Sequence, residues 1–285
     1  GSSPVKRSLP LPTFLKSNYS NKDNVKLGVI GAGLFGKALL LPALKKLPGI
    51  CLHTLVTSSG TNVEHSGSKF GFMNQSTETD EIWSNKEIEG VIGLTPHSNH
   101  AELVYTALEK NKSLFLEKPL CTSLEELIEI RRKVEKFESL PLIMIGHNRR
   151  FSLHTKKIQS WLKSRVSPVV LQMRVNSGHL DSTHWVNSDT EGRSRIVGEM
   201  SHFIDFFQSL IGHTVIRVYA ERISGNNKSI VNNDNLVISL KFKDGSIANL
   251  TYSALGDKAY SREILEIFFD GKIISSQDFR KSELH

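Results

Sequence analysis

The segment Gly31-Ala32-Gly33-Leu34-Phe35-Gly36 decides how this chain is expected to fold. It follows the apolar run Val25–Ile30 and leads into a second apolar run, Lys37–Leu41. A buried strand, a glycine-rich turn and a helix in this order predict a dinucleotide site, because free N–H groups at the start of the helix face a pyrophosphate. In this interpretation Gly31 permits the tight turn, Gly33 lets the backbone approach the ligand, and Gly36 lets the helix pack on the strand. The alternative is a plain strand-turn-helix connection without a ligand.

Composition narrows the class of protein. The 285 residues are 39% hydrophobic and 23% charged, which is typical of a globular chain long enough for two domains. No apolar run reaches membrane-spanning length, and the first residues lack the pattern of a signal peptide, so we expect no membrane partner. Two cysteines, Cys51 and Cys121, are too few for a disulfide framework and indicate a reducing, cytoplasmic compartment.

The net charge of +7 raises the question of a polyanionic partner. Lys and Arg are scattered, and no basic tract interleaved with aromatic residues occurs. We therefore expect no nucleic-acid partner, since an anionic cofactor or substrate explains the basic balance equally well.

Three segments organise the chain. Residues 1–24 are rich in Ser, Pro, Asn and Lys and are interpreted as a linker or leader. Residues 25–147 alternate strands with helices, which predicts an α/β Rossmann domain with a doubly wound parallel sheet. The later predicted strands of this domain are 52–56, 90–94, 114–116 and 142–145, the last taken as the sixth strand. Ser123 and Glu126 predict a capping box for a helix ending near Phe137, and Pro42 is expected to kink or split the first helix.

Residues 148–285 follow a different pattern and predict an α+β domain with a mostly antiparallel, open-faced sheet. The predicted helices are 151–162 and 198–211, and the predicted strands are 169–175, 215–223, 235–242, 247–252 and 264–269. Asp244-Gly245 is a hairpin signal between two of them.

Polar residues follow two neighbouring strands of the predicted parallel sheet. Thr95-Pro96, with His100 in the next helical turn, follows one strand, and Glu117-Lys118-Pro119 follows the next. Ligands of doubly wound folds bind at this carboxyl edge, so both segments are candidate site residues. From position alone, Lys118 is equally well interpreted as a surface lysine.

The second domain contributes its own candidates. Asn148-Arg149-Arg150 begin it and are either substrate contacts or a solvated turn. His202 lies three residues from both Glu199 and Asp205 and is either a core histidine or a proton-transfer group.

A further polar group, His179, Asp181 and His184, lacks the spacing of a metal site. We expect a polar loop lining a substrate cleft there, and no metal in this chain.

These motifs, taken in order, resemble one family. GAGLFG (31–36), TP with His100, EKP (117–119), NRRF (148–151) and a helix ending in HFID (202–205) are similar to the glucose-fructose oxidoreductase / inositol dehydrogenase / MocA family. The resemblance runs from about Val25 to the last residues. Within that family, the phrases LLLPALKKLPG, HWV (184–186), GEMSHFID (198–205) and QDFRKSEL (277–284) resemble the oxidoreductase half of bi-domain proteins that begin with a zinc-alcohol-dehydrogenase-like domain.

The resemblance implies an NAD(P)-dependent enzyme that transfers hydride between nicotinamide and a secondary alcohol or ketone of a sugar, cyclitol or nucleotide-sugar. It implies that Lys118 lies beside nicotinamide and substrate, that Pro119 is often cis, and that His202 exchanges the proton of the substrate hydroxyl. The cofactor residues expected are Gly31, Ala32, Gly33, Leu34, Phe35, Gly36, Thr57, Ser58, Thr95, Pro96, His100, Glu117, Lys118 and Pro119. The substrate residues expected are Asn148, Arg149, Arg150, His184, Trp185, Glu199 and His202.

Two departures from the family pattern support an alternative. The family's Asp four residues before the catalytic His corresponds to Gly198 here, and Glu199 is displaced from it by about 100° on an α-helix. Family members also continue with another strand and a closing helix, so we expect a chain truncated at its C-terminus and excised from a longer one at its N-terminus. The alternative is a catalytically weak sensor or scaffold that binds dinucleotide.

Two last expectations concern cofactor and assembly. Thr57-Ser58-Ser59-Gly60 follows the second strand without the acid that holds the ribose of NAD, which favours NADP, although no nearby Arg supplies a clamp. The open sheet is expected to have one face covered by the Rossmann domain and an apolar face left for sheet-to-sheet contact in a homo-oligomer.

Overall fold

The computed structural model describes residues 8–10, 24–181, 183–184, 195–225 and 230–285. These residues form two compact units, one ending at Gly146 and the other beginning at His147. Within the described residues, no helix is long and apolar enough to cross a membrane.

The first unit contains a seven-stranded sheet in the order β1-β4-β3-β2-β5-β6-β7. Strands β2 to β7 are parallel, which confirms the predicted Rossmann sheet, and β1 pairs antiparallel with β4 at the edge. Their bounds are β1 Ser8–Pro10, β2 Val25–Ile30, β3 Ile50–Val56, β4 Asn74–Ser76, β5 Gly90–Gly93, β6 Ser113–Leu116 and β7 Ile143–Ile145. The sequence patterns did not locate β1 or β4, because neither three-residue segment is an apolar run, unlike the equally short β7.

Helices lie on both faces of this sheet, as the doubly wound pattern requires. They are α1 Leu41–Leu44, α2 Gly60–Phe70, α3 Asp80–Trp83, α4 His100–Glu109 and α5 Leu124–Val134. One core contains side chains of α1 and α2, and a second core contains those of α3, α4 and α5. The predicted capping box of α5 is confirmed, since Ser123 Oγ accepts from the Glu126 N–H at 3.2 Å while Glu126 Oε2 accepts from the Ser123 N–H at 3.1 Å.

The first helical segment changes its hydrogen-bond pattern just before Pro42, while its backbone stays helical through Leu40 and Leu41. Gly36–Leu40 forms a π-helical turn, in which the N–H of Leu41 donates to the carbonyl of Gly36, five residues back. Regular α-helix resumes only with α1, which has Pro42 in its first turn. Because proline has no N–H to donate to the carbonyl four residues back, a π-helical turn before it accommodates the missing hydrogen bond.

The second unit contains another seven-stranded sheet, in the order β14-β13-β12-β8-β11-β10-β9. Only the β8–β11 pair is parallel among the described strands, which confirms the mostly antiparallel prediction. The bounds are β8 Val170–Asn176, β9 Val215–Arg222, β10 Leu236–Phe242, β11 Ile247–Ser253, β12 Glu263–Phe269, β13 Lys272–Gln277 and β14 Lys281–Leu284. The patterns missed β13 and β14, although Asp270-Gly271, both with positive φ, is a hairpin signal that could have located β13.

Two helices of the same unit, α6 Leu153–Leu162 and α7 Ser201–Ile211, cover one face of this sheet. Phe203, Phe206 and Phe207 of α7 are almost completely buried in the core between them. The second unit therefore supplies its own helical cover for one face of its sheet. The opposite face exposes apolar side chains of several strands, including Val170, Val237, Ile247 and Ile273.

Candidate functional site

The glycine-rich turn after β2 is held between the ends of β3 and β5. Gly31 has a φ of +91°, and a Cβ there would lie 2.5 Å from the carbonyl oxygen of Leu94. Its N–H donates to the Val56 carbonyl at 2.8 Å. At Gly36 a Cβ would lie 2.8 Å from Leu94 Cδ1. The backbone of Leu94 therefore excludes a side chain at Gly31, whereas at Gly36 a side chain would require the Leu94 side chain to shift.

Gly33 differs from these two glycines. It is exposed, and the nearest atom to a Cβ built on it would be the Leu94 oxygen at 4.0 Å. Its neighbours Leu34 and Phe35 are also exposed, while Ala32 is buried. The fold therefore leaves the backbone accessible at Gly33, which suits the close approach of an anionic pyrophosphate to the backbone N–H groups.

The segment after β3 forms a hydroxyl-rich turn into α2. Thr57 is buried and its hydroxyl donates to the Ser59 carbonyl at 2.8 Å, whereas Ser58 is exposed. Ser59 caps α2 by accepting from the N–H of Asn62. The structure adds a cation that sequence reasoning missed, because Lys37 Nζ donates to the Asn62 side chain in the first turn of α2. No local signal could have found it, since the two residues are 25 positions apart.

His100 connects the two loops at the carboxyl edge of β5 and β6. The ring is completely buried, with Nδ1 2.5 Å from the Pro119 carbonyl oxygen and Nε2 3.1 Å from that of Thr95. Burial lowers the pKa of His100, the two carbonyls oppose that shift, and the charge of Lys118 adds to it. Because both ring nitrogens face backbone oxygens, His100 serves as a strut between the loops and does not present its ring nitrogens to a ligand.

Glu117 and Lys118 lie in the loop that His100 supports. The Glu117 N–H donates to the Gly93 carbonyl at 3.1 Å, and the Lys118–Pro119 peptide is cis. The Glu117 carboxylate lies against Gly146, where a Cβ would be 2.8 Å from Oε1. Burial raises the pKa of Glu117, while the neighbouring Lys118 charge lowers it. Lys118 itself is half-buried, next to an acid and just past the end of β6.

In the second unit, both predicted arginines are engaged in ion pairs. Arg149 forms a bidentate pair with Glu263 at 2.5 and 2.7 Å, and its guanidinium lies 4.5 Å from the centre of the Phe203 ring. Arg150 pairs with Asp205 of α7, with Nε at 2.9 Å from Oδ2. These pairs join residues 114 and 55 positions apart, so no local pattern could have revealed them.

An open cavity of about 1020 Å³ lies within this unit. Its lining includes three residues proposed from sequence, Asn148, Arg149 and His202. The ring of His202 meets that of His147 edge-on, with 5.5 Å between centroids. The cavity therefore combines an imidazole with amide and guanidinium groups, a set that can hold a hydroxylated ligand and move a proton.

Glu199 does not line this cavity among the described residues, because it belongs to a hydrogen-bonded network. It accepts from Tyr252 Oη at 2.6 Å, from Arg195 Nε at 3.0 Å and from Arg262 Nη2 at 3.4 Å. Burial alone would raise the pKa of Glu199, but the hydrogen bond from Tyr252 and the Arg195 charge hold it below its ordinary value. Glu199 is therefore an ionised acceptor between a helix and the sheet.

The helix at Glu199 is also not an α-helix. Residues Ile196–Met200 form a π-helical turn in which the N–H of Ser201 donates to the Ile196 carbonyl, and α7 follows. The 100° offset between Gly198 and Glu199 assumed regular α-helix, so that angle does not apply here.

Two remaining predicted residues are less informative. The N–H of His184 donates to the Asp181 carbonyl at 3.0 Å, and Trp185 lies outside the described residues. In the described part of the chain, no group of three or more His, Cys, Asp or Glu side chains is arranged to hold a metal ion.

Comparisons with known proteins extend this picture. Residues 25–146 match the family model described as "GFO_IDH_MocA: Oxidoreductase family, NAD-binding Rossmann fold". Myo-inositol 2-dehydrogenase of Thermotoga maritima is 23% identical over 251 residues, covering 86% of this chain and 72% of that protein. The NAD⁺-dependent scyllo-inositol 2-dehydrogenase of Bacillus subtilis is 30% identical over 130 residues, or 46% of this chain and 37% of that protein.

A solved structure of levoglucosan dehydrogenase, in complex with NADH and L-sorbose, has the same fold. It superposes with a TM-score of 0.76 at 18% identity, covering 92% of this chain and 76% of that one. These comparisons show that residues 25–146 are similar to a family of NAD-binding oxidoreductases, that the two relatives named above are inositol dehydrogenases, and that most of the chain shares the fold of levoglucosan dehydrogenase.

Proposed function

The homologues support membership of this chain in the Gfo/Idh/MocA family of NAD-binding oxidoreductases, and from that premise we propose a reaction. The chain transfers hydride between a nicotinamide cofactor and a secondary alcohol or ketone of a sugar, cyclitol or nucleotide-sugar. The observation that carries the proposal is the turn at Gly31–Gly36, where a backbone clash requires glycine at Gly31, Gly36 packs closely on Leu94, and Gly33 leaves the backbone open to a pyrophosphate.

The residues present fit such a cofactor. Gly31–Gly36 would hold its pyrophosphate, and the loops with Thr95, Pro96 and Glu117–Pro119 would surround its nicotinamide, with His100 setting their separation. When bound, the nicotinamide supplies or accepts the hydride. Lys118 polarises the substrate oxygen with its ammonium charge, and His202 takes or returns the hydroxyl proton. Asn148 and the cavity of the second unit hold the remaining hydroxyl groups.

The test is the change in nicotinamide absorbance with a panel of sugars and cyclitols. We expect turnover in the unmodified protein and a loss of about a hundredfold or more in Lys118→Ala and in His202→Ala. Lys110→Ala, an exposed lysine of the same unit, is the matched control and should keep full activity. Turnover that is unchanged in Lys118→Ala would contradict the proposed chemistry.

For the cofactor, we propose a preference for NADP. No acid follows β3 to repel a 2′-phosphate, and Lys37 donates to Asn62 in the first turn of α2, beside that segment. Charge-assisted contacts to phosphate are stronger than neutral ones, so Lys37→Met should weaken NADPH binding by about tenfold while changing NADH binding little. Fluorescence titration with both cofactors measures this, and a tenfold tighter binding of NADH to the unmodified chain would reverse the preference.

A second candidate function is that of a dinucleotide-binding sensor or scaffold with little or no turnover. It is favoured by the surroundings of His202, because Gly198 replaces the family acid, Glu199 is held by three donors and Asp205 by Arg150. Tight NAD(P)H binding without turnover on any polyol, together with specific capture of a protein partner, would support this alternative.

Assembly and extent are further proposals. The exposed apolar side chains of the open sheet face, such as Val237 at 46% exposure, support sheet-to-sheet association into a homo-oligomer. Val237→Lys should then lower the sedimentation coefficient, and a monomer before and after the change would refute it. The sequence segments shared with bi-domain proteins support a native polypeptide in which a zinc-alcohol-dehydrogenase-like domain precedes this chain. Sequencing the complete reading frame tests this proposal.

A further inference from the structure

The cavity of the second unit has an excess of positive charge. Its charged lining residues are Arg149, Lys258, Arg262 and Arg280 on the cationic side and Glu263 and Asp278 on the anionic side. A neutral sugar does not require an excess of positive charge, because neutral donors and acceptors are enough to bind its hydroxyl groups.

Pairing inside the cavity removes only part of this excess. Glu263 is used by Arg149 through two short hydrogen bonds. Arg262 lies 3.4 Å from Glu199 and 3.7 Å from Glu263, yet its side chain remains 56% exposed. This leaves three exposed cations, Lys258, Arg262 and Arg280, facing the single carboxylate of Asp278.

Asp278 is itself occupied by internal donors. It accepts from the Glu263 N–H at 2.7 Å and from Ser261 Oγ at 2.8 Å. Burial raises its pKa, but these donors outweigh burial and hold the pKa below the ordinary value. Its carboxylate therefore stabilises the β12–β13 edge of the sheet through these hydrogen bonds.

The exposed cations Lys258 and Arg280 are not held in ion pairs with described carboxylates, although the charge of Arg280 contributes to the lowered pKa of Asp278. The Lys258 stem packs over Gly178, where a Cβ would lie 2.8 Å from Cε, and Lys258 also lines the cavity. Behind the cavity wall, Arg174 lies 4.8 Å from the Tyr260 ring centre and adds a fifth positive charge.

We propose that the ligand of this cavity is a polyol bearing a negatively charged group, a phosphate or a carboxylate, which Lys258, Arg262 and Arg280 bind. This inference rests on the proposed function and narrows its substrate class. The hydroxyl groups lie toward Asn148 and His202, and the anion lies at the edge formed by the β11–β12 and β13–β14 connections. Charge-assisted hydrogen bonds from guanidinium and ammonium groups are the strongest contacts such a ligand can make there.

Calorimetric titration tests the proposal without depending on turnover. The complete chain, without added nicotinamide, is titrated with glucose 6-phosphate, glucuronate, glucose and inorganic phosphate. We expect at least one charged sugar to bind about tenfold more tightly than glucose, and to lose that advantage at high salt. Tighter binding of glucose 6-phosphate alone identifies a phosphate, and that of glucuronate alone identifies a carboxylate.

The double variant Lys258→Met/Arg280→Met should abolish the advantage. Its matched control is Lys272→Met/Arg217→Met, which removes an exposed lysine and arginine of the same unit outside the cavity and should keep it. Equal binding of all the sugars, no binding of any, or an equal loss in both double variants overturns the proposal. Selective anion binding without turnover on any polyol would leave the proposal standing while refuting the proposed function.

Discussion

The first unit builds its candidate site mainly from backbone, whereas the second builds its site from charged side chains. Around the glycine-rich turn, the decisive contacts are carbonyl oxygens against Gly31 and against the ring nitrogens of His100. In the second unit they are ion pairs, of which Arg149–Glu263 and Arg150–Asp205 are the main examples.

This difference separates what is local from what is not. A position with positive φ can be recognised from glycine in the sequence, because few other residues adopt that conformation. An arginine does not reveal its partner, since a guanidinium suits a ligand and a distant carboxylate equally well. Both arginines expected to meet substrate form ion pairs with acids 114 and 55 positions away, which local sequence does not reveal.

The largest effect is expected when the Arg149–Glu263 pair is broken. Arg149→Met leaves the Glu263 carboxylate, whose side chain is 8% exposed, without its bidentate partner. The free energy of unfolding should fall by about 3 kcal/mol, as for other buried pairs that lose one member. Denaturant titration measures it.

The matched control is Arg131→Met, which breaks an ion pair with Glu135 whose two side chains are 79% and 59% exposed. It should cost about 0.5 kcal/mol or less. Equal losses in the two variants would mean that burial does not distinguish them, and the contrast between the units would lose its basis.

A smaller effect is expected at Gly31. Gly31→Ala combines strain at a φ of +91° with a Cβ 2.5 Å from the Leu94 oxygen. It should lower the free energy of unfolding by about 2 kcal/mol and also weaken cofactor binding. Gly49→Ala, at a φ of +76° with no atom within 4 Å, carries the conformational strain alone and should cost about 1 kcal/mol. Thermal unfolding and NADPH titration of both variants separate strain from collision, and identical stabilities would show that the collision is relieved.

Replacing the strut should cost less again. His100→Phe removes the ring nitrogens that face the Thr95 and Pro119 carbonyls, of which a neutral imidazole donates to one, and should destabilise the fold by about 1 to 2 kcal/mol. It should also weaken NADPH binding through the two loops. His65→Phe, at an exposed histidine of the same unit, is expected to change stability by about 0.5 kcal/mol or less. Equal losses of stability in the two variants would contradict the role of His100 in supporting the two loops.

The smallest effect is a pH dependence from His100. Its pKa is lowered by burial from the ordinary value of 6.5, with Lys118 lowering it further, Glu126 raising it and the His97 ring 5.5 Å away. Below pH 6.5 the unfolded chain therefore binds more protons than the folded chain, and stability falls as the pH falls toward the folded-state pKa.

The expected slope from this one group is about 1 kcal/mol per pH unit at most. It is measured as the difference between the unmodified protein and His100→Gln across pH 5 to 7.5, since His53, whose pKa burial also lowers, contributes to both. A difference that does not change with pH would refute the assignment.

Much of the fold could be predicted because its signals are local. Alternation of strands and helices identified the parallel sheet, Ser123 and Glu126 identified a helix start, and Pro42 marked the change of hydrogen-bond pattern in the first helical segment. The strand Asn74–Ser76 could not be found, because it is not an apolar run and its place is set by pairing with β3. The strands β13 and β14 were missed although Asp270-Gly271 marked the turn before β13.

The sequence by itself determined the order of elements and the glycine turn. It also determined the positions of Lys118 and His202 relative to the predicted strand and helix ends, because all these features depend on residues close in sequence. Only the tertiary structure decided that His100 joins two loops, that Glu199 accepts hydrogen bonds from Tyr252 and Arg195, and that more cationic than anionic side chains line the cavity. The physical reason is that charges and hydrogen bonds are satisfied by whichever partner folding brings near, however far along the chain it lies.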